Sequence, residues 1–236
     1  MFRFRALPNH GTVSCLLKTF SSSSFSFCLR LSLKVSLSSF PISSSALVHF
    51  YATNSLPDNV LKVFNEIRHR NEYSYAAANV GLAQNDRPID AIRVFKINQN
   101  DRVPSTAYIV SGALCAAAHL ATLQLTRVIH SHAIVTGTDY DIVAGTALIV
   151  VCGKSGVVID AQKTFDWFIA DSCLVTRTEM MGAYAPQGYV ESARQHFDEI
   201  VFRKYFVPSE CTFLVILTAC SNAGQVDETT RLWLEI

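Results

Sequence analysis

A short pattern closing on a ring-bearing residue returns along this chain at nearly constant spacing, and a fixed period constrains a fold more than any local motif can. VLKVF (Val60 to Phe64), AIRVF (Ala91 to Phe95), RVIH (Arg127 to His130), AQKTF (Ala161 to Phe165), ARQHF (Ala193 to Phe197) and TTRLW (Thr229 to Trp233) end at residues 64, 95, 130, 165, 197 and 233. Nine positions earlier stand Ser55, Asp86, Ala121, Gly156, Gly188 and Gly224, mostly turn formers. Three positions before those come Ala52, Ala83, Ala118, Gly153, Ala185 and Ser221, all small. Further back in the same register fall Leu47, Ala78, Ala113, Leu148, Met180 and Ile216, apolar in every copy.

Each copy therefore reads as an apolar helix, a small residue, a tight turn and a second helix carrying a bulky knob. The small residue is expected to let the second helix close on the first, and the turn residue to supply the reversal. One such hairpin cannot bury both of its faces, so its neighbours must stack on it. The expected fold class is all-α: a right-handed α-solenoid of helix-turn-helix repeats following a disordered leader. The expected repeats are 41–71, 72–106, 107–141, 142–173 and 174–209, with an incomplete one over 210–236.

This register reinterprets VVCGKSG (Val150 to Gly156), which looks like a strand entering a phosphate-binding loop. A full loop is GxxxxGK[ST], so that glycines let successive N–H groups wrap the phosphates. The first glycine would have to be residue 148, which is Leu148. Gly153 instead fills the small slot and Gly156 the turn slot, while Leu148, Ile149 and Val151 read as core positions of a helix. No nucleotide and no cofactor is expected.

The seven cysteines (Cys15, Cys28, Cys115, Cys152, Cys173, Cys211, Cys220) are odd in number and never spaced CxxC, which argues against both a disulfide framework and a zinc ribbon. His130 and His132 stand two residues apart, on different faces of a helix, and are read as structural. No metal site is expected. Residues 1–40 hold Arg3, Arg5, Lys18, Arg30, Lys34 and many serines but no acid, the composition of an organelle transit peptide. Arg30 and Lys34 interrupt the apolar stretch from Phe25 to Val35, and no other run approaches the ~18 apolar residues a spanning helix needs, so no membrane is expected. Without the leader, 15 basic residues face 19 acidic ones, which removes any strongly basic nucleic-acid footprint.

The repeats resemble those of the plant organellar pentatricopeptide repeat proteins, in particular the subgroup that mixes long and short repeats. The segments carrying the likeness are ALVHFYATNSLPDNVLKVFNEIRHRN (Ala46 to Asn71), HLATLQLTRVIHSHAIVTGTDYD (His119 to Asp141), GTALIVVCGKSGVVIDAQKTFD (Gly145 to Asp166) and TFLVILTACSNAGQVDE (Thr212 to Glu228). The resemblance implies a non-catalytic binder of single-stranded organellar RNA that reads about one base per repeat. It places one reading residue near the start of each first helix and a second at the end of the repeat. On this sequence the first-helix positions are Ser45, Ala76, Ser111, Thr146, Thr178 and Leu214, and the repeat-end positions Asn71, Thr106, Asp141, Cys173 and Ser209. The family's code would give adenine to Ser45 with Asn71 and guanine to Ser111 with Asp141. Thr146 with Cys173 and Thr178 with Ser209 are incomplete readers, and Ala76 offers no hydrogen bond.

Departures from the family pattern also stand in the sequence. Ala76 occupies a polar slot, Arg177 an aromatic one, and the last copy stops at Ile236 inside its second helix, the mark of a chain truncated at its C-terminus. No HxE paired with CxxC is present, so the zinc deaminase tail found in some members is absent from this sequence and no enzymatic activity is expected. The resemblance points to editing, splicing or processing of an organellar transcript, with RNA-editing or processing proteins as further partners. The alternative is a protein-binding helical-repeat scaffold or a degenerate fragment without activity of its own. Arginines at the very start favour the mitochondrion over the chloroplast.

Overall fold

A computed structural model describes residues 41–170, 172–202 and 206–224. The leader over 1–40 and the second helix expected in the last repeat lie outside the described residues. The chain divides into two compact units, with the boundary between His119 and Leu120. The first unit contains α1 (Pro41–Thr53), α2 (Pro57–Glu66), α3 (Glu72–Gln84), α4 (Pro88–Asp101) and α5 (Ala107–His119). The second contains α6 (Leu123–Thr136), α7 (Ile142–Lys154), α8 (Val158–Trp167), α9 (Leu174–Tyr184) with a 3-10 turn at Ala185–Gln187, α10 (Val190–Phe202) and α11 (Glu210–Asn222). Among the described residues every regular element is helical.

Local chemistry starts and stops these helices. Proline at the first helical position opens α2 and α4, where a missing N–H costs nothing. Asn71 and Ser209 close capping boxes with Ser74 and Thr212, and the Asp141 carboxylate accepts from the Val143 N–H at 2.8 Å. The turn slot is left-handed in all six copies: Ser55, Asp86, Ala121, Gly156, Gly188 and Gly224 have φ between 48° and 74°. After four of them the next N–H reaches back five residues to close the helix end: Leu56 to Tyr51, Arg87 to Leu82, Val157 to Cys152 and Tyr189 to Tyr184, at 2.9–3.3 Å.

First and second helices bury different fractions of their surface. In α7, Ala144, Gly145, Leu148, Ile149, Val151, Cys152 and Gly153 are all buried, so the helix is enclosed on more than one side. In α2 only Val60, Val63 and Phe64 are buried, the single stripe of a helix with one face in water. First helices stack on first helices: α1 on α3 and α3 on α5 in the first unit, α7 on α9 and α9 on α11 in the second. The apolar register slot lies at the centre of these stacks, with Leu47, Ala78, Ala113, Leu148, Met180 and Ile216 at most 5% exposed. The ring positions Phe64, Phe95, Phe165 and Phe197 are buried beside them, whereas His130 is only half-buried.

The small slot works differently from the sequence expectation. A Cβ built on Gly153 would stand 2.5 Å from Ala183 Cβ and 2.7 Å from Ala183 Cα, on α9. A Cβ on Gly81 of α3 would likewise stand 2.4 Å from Ala52 Cβ on α1. The close approach is therefore between first helices of consecutive copies, not between the two helices of one hairpin. Asn85 Nδ2 reinforces that contact in the first unit, donating to the Ala52 carbonyl at 2.9 Å and to the Gly81 carbonyl at 2.7 Å. Asn222 Nδ2 does the same in the second unit, donating to the Ala185 carbonyl at 3.1 Å.

Candidate nucleic-acid interface

The repeat-end positions proposed as readers fall at the N-termini of first helices. Asn71, Asp141, Cys173 and Ser209 are the N-caps of α3, α7, α9 and α11, and Thr106 directly precedes α5. The first-helix positions lie one turn inside the preceding first helix. Consecutive first helices stack, so Ser45, Ala76, Thr146 and Thr178 are brought towards the start of the next first helix in their unit.

Three of the predicted pairs are joined by hydrogen bonds. Ser45 Oγ donates to Asn71 Oδ1 at 3.2 Å, and that oxygen also accepts the Ser74 N–H at 3.0 Å. The amide oxygen is thereby occupied, and the Nδ2 hydrogens are the polar atoms Asn71 has left to offer. Thr146 and Cys173 meet through a third residue: Thr146 Oγ1 and Thr176 Oγ1 are 3.0 Å apart, and Thr176 Oγ1 lies 3.4 Å from Cys173 Sγ. Thr178 and Ser209 meet in the same way through Thr212, at 3.2 Å and 3.1 Å. Thr176 and Thr212 were not singled out in the sequence. The signal for them was a hydroxyl three residues after the repeat end, present in three of the five copies as Ser74, Thr176 and Thr212.

The Ala76 position forms no such pair. Ala76 has no hydroxyl, and Thr106 Oγ1 is buried without a hydrogen-bond partner. Ser111 sits half-buried on α5 of the first unit, and Asp141 is exposed at the start of α7 in the second, its carboxylate already capping Val143. Leu214 is two-thirds exposed on α11 and brings no polar atom.

The structure adds a second set of residues. Tyr73, Tyr108 and Val175 are 67%, 60% and 59% exposed, each three positions before Ala76, Ser111 and Thr178. At Ser111 and Thr178 this sets an exposed apolar face beside a polar side chain, the arrangement a stacked base would require. These residues share a register, so the repeat alignment carried the signal: apolar side chains at a helix start, outside the core pattern.

Two positions further along, the slot before the reader packs on the ring of the preceding copy. Tyr75 meets Phe64 edge-on with centroids 5.2 Å apart, and Phe213 meets Phe197 in the same way at 5.6 Å. Arg177 fills this slot in α9 with its guanidinium 5.6 Å from the Phe165 ring centre. It is buried, pairs with Glu199 and donates to the Ile169 carbonyl at 3.5 Å. Arg177 thus substitutes for an aromatic by cation–π contact, with its charge neutralised from α10. Tyr75 meets a similar acid: its hydroxyl donates to Asp101, which also pairs with Arg70 at 3.5 Å. Burial and Asp101 push the Tyr75 hydroxyl up to about 12.

The electrostatics of the Cys173 cap differ from those of an ordinary buried thiol. Burial raises its pKa, but the nearby Thr176 hydroxyl and the N–H groups at the start of α9 favour the thiolate and lower it. Cys152, inside α7, is pushed up to about 11 by burial and by Asp160. Among the described residues no three His, Cys, Asp or Glu converge into a possible metal site. Gly153 and Lys154 end α7 rather than begin a helix, so carbonyls and the negative end of the helix dipole face this turn, the reverse of a phosphate cradle.

No protein-family model matches the chain. Among curated proteins it is 30% identical to pentatricopeptide repeat-containing protein At4g14850 of Arabidopsis thaliana over 80% of its own length and 28% of the relative's. It is also 30% identical to the Arabidopsis thaliana pentatricopeptide repeat-containing protein CRR2, chloroplastic, over 80% of its own length and 29% of that protein's. The chain thus spans less than a third of the length of either relative. In fold it is similar to the pentatricopeptide repeat protein PPR10 in complex with an 18-nt psaJ RNA element, with a TM-score of 0.73, 18% identity, and coverage of 95% of this chain and 34% of that one. A repeat register with left-handed turns, stacked first helices and this similarity in sequence place the chain in the plant pentatricopeptide repeat family.

Proposed function

We propose that the chain binds single-stranded RNA, reading about one base per repeat, and acts without catalysis of its own in the RNA metabolism of an organelle. The observation that carries this reading is the recurrent hydrogen-bonded cluster at the mouths of the stacked first helices: Ser45 with Asn71, Thr146 with Thr176 and Cys173, Thr178 with Thr212 and Ser209. Each cluster places polar atoms in a fixed geometry; Val175 offers an exposed apolar face three residues before Thr178, and Tyr73 and Tyr108 hold the same slot before Ala76 and Ser111. That PPR10 was solved in complex with an 18-nt RNA element supports the same use of the same fold. Editing, splicing or processing are the steps such a reader would serve, with editing or processing proteins recruited beside it. The arginine-rich start favours the mitochondrion, although a relative bears a chloroplastic name.

Binding is expected to be modest and only weakly salt-dependent, because acids outnumber bases after the leader and phosphate contacts usually supply much of the affinity. Filter retention of labelled single-stranded and duplex RNA of one sequence tests the proposal. Retention of the single strand alone supports it; equal retention of both, or of neither, overturns it.

A second reading, a protein-binding scaffold, is favoured by the exposure of Trp167 at the end of α8 and Phe202 at the end of α10. Partners captured from organelle extract that survive ribonuclease treatment unchanged would select it.

A further inference from the structure

Resting on the RNA-binding reading, we infer that Thr212 is a specificity-determining residue: it polarises the Thr178–Ser209 pair so that the pair presents only hydrogen-bond acceptors, and so selects guanine. The direction of every bond in this cluster follows from counting hydrogens. Thr178 Oγ1 donates its one hydrogen to the Leu174 carbonyl at 2.9 Å, since a carbonyl can only accept. In the 3.2 Å contact between Thr178 and Thr212, Thr212 must therefore be the donor. The hydrogen of Thr212 is then spent, so Ser209 donates in the 3.1 Å contact between Ser209 Oγ and Thr212 Oγ1.

The remaining bonds agree with this assignment. Thr212 Oγ1 also accepts the Ser209 N–H at 3.2 Å, and Ser209 Oγ accepts the Thr212 N–H at 3.3 Å. Thr212, with one hydrogen and two lone pairs, is then fully used. Thr178 and Ser209 are each left with one lone pair and no hydrogen. A hydroxyl pair, ordinarily able to bond any base edge, has become a pair of acceptors.

Base choice follows from what an acceptor pair can meet. The pairing edge of guanine carries two adjacent donors, N1–H and the N2 amino group, whereas adenine, cytosine and uracil each set an acceptor beside their donor. A base with an acceptor there would face a lone pair. At Thr146 the relay is not fixed in this way. Thr176 has one hydrogen for both Thr146 and Cys173, and no bond from Thr146 to a helix carbonyl is formed that would set the direction. At Ser45 the polarity is opposite, because Asn71 has its oxygen filled and its amide hydrogens to offer. Three clusters of similar composition thus differ in what they present.

Selection of the full chain against a random single-stranded RNA pool tests the assignment, repeated with Thr212→Val and Thr212→Ser. Thr178→Val identifies the nucleotide position served by this cluster as the one whose preference changes. The wild-type chain is expected to favour guanine over adenine there by about tenfold. Thr212→Val, nearly isosteric, should flatten that position and no other, and Thr212→Ser should restore it. Melting followed by circular dichroism checks folding. Should Thr212→Val not fold, the wild-type preference at that position decides: guanine supports the acceptor-only assignment, and any other base overturns it. A guanine preference unchanged in Thr212→Val, or a wild-type preference for another base at that position, overturns the role of Thr212 while leaving RNA binding intact. A pool with no enrichment at all overturns the RNA-binding reading and the assignment with it.

Discussion

Ala121 holds the left-handed conformation at φ 48° without glycine's freedom or a polar side chain to bond its own backbone. An L-residue with a Cβ pays about 1–2 kcal/mol for this conformation. Ala121→Gly is accordingly expected to stabilise the chain by about 1 kcal/mol in urea unfolding, despite the entropy that glycine adds to the unfolded state. Gly153 behaves in the opposite sense. Even Gly153→Ala drives a Cβ to 2.7 Å from the Ala183 backbone, so a loss of about 1–3 kcal/mol is expected, while exposed Lys154→Ala should stay within about 0.5 kcal/mol. Thr106 and Ser209 form a similar contrast. Thr106→Val removes a buried hydroxyl with no partner and should be neutral or stabilising; Ser209→Ala removes a capping box and should cost about 1 kcal/mol.

At the level of elements, the sequence register located the turns and the buried positions because burial imposes the same demand on every copy. Leu47, Ala78 and Met180 share nothing but apolarity, and one slot. Periodicity identified Gly153 as small but could not say which neighbour required it, since smallness on a helix face is the same signal whichever helix comes close. Arg177 was legible as a departure, yet its pairing with Glu199 on α10 depends on packing that no local pattern records. The proximity of Thr178 and Ser209 was legible from the register but the direction of their hydrogen bonds was not, because the bond from Thr178 to Leu174 within one helix sets the direction of a chain that crosses to another. The packing of Tyr75 between Phe64 and Asp101 carries a pH consequence. Its hydroxyl ionises near 10 when unfolded and at about 12 when folded, so the stability it contributes is whole below pH 10 and declines as pH rises towards 12. Melting temperatures at pH 9 and 11 should therefore differ more in wild type than in Tyr75→Phe.

On the scale of the whole molecule, the two compact units hold the same device in repeated form: stacked first helices whose starts carry paired polar side chains and exposed apolar ones. Repetition is what turns a weak contact into recognition, since each base adds a small and roughly independent increment. The balance of charge denies the chain a large non-specific phosphate term, so under the proposed function selectivity would come from the proposed reading positions. Selection from a random single-stranded RNA pool tests this most directly. The account predicts an enriched motif of about five consecutive nucleotides, one for each complete repeat, with guanine at the position set by Thr178 and Ser209. Recovery of a pool indistinguishable from the starting one would contradict it.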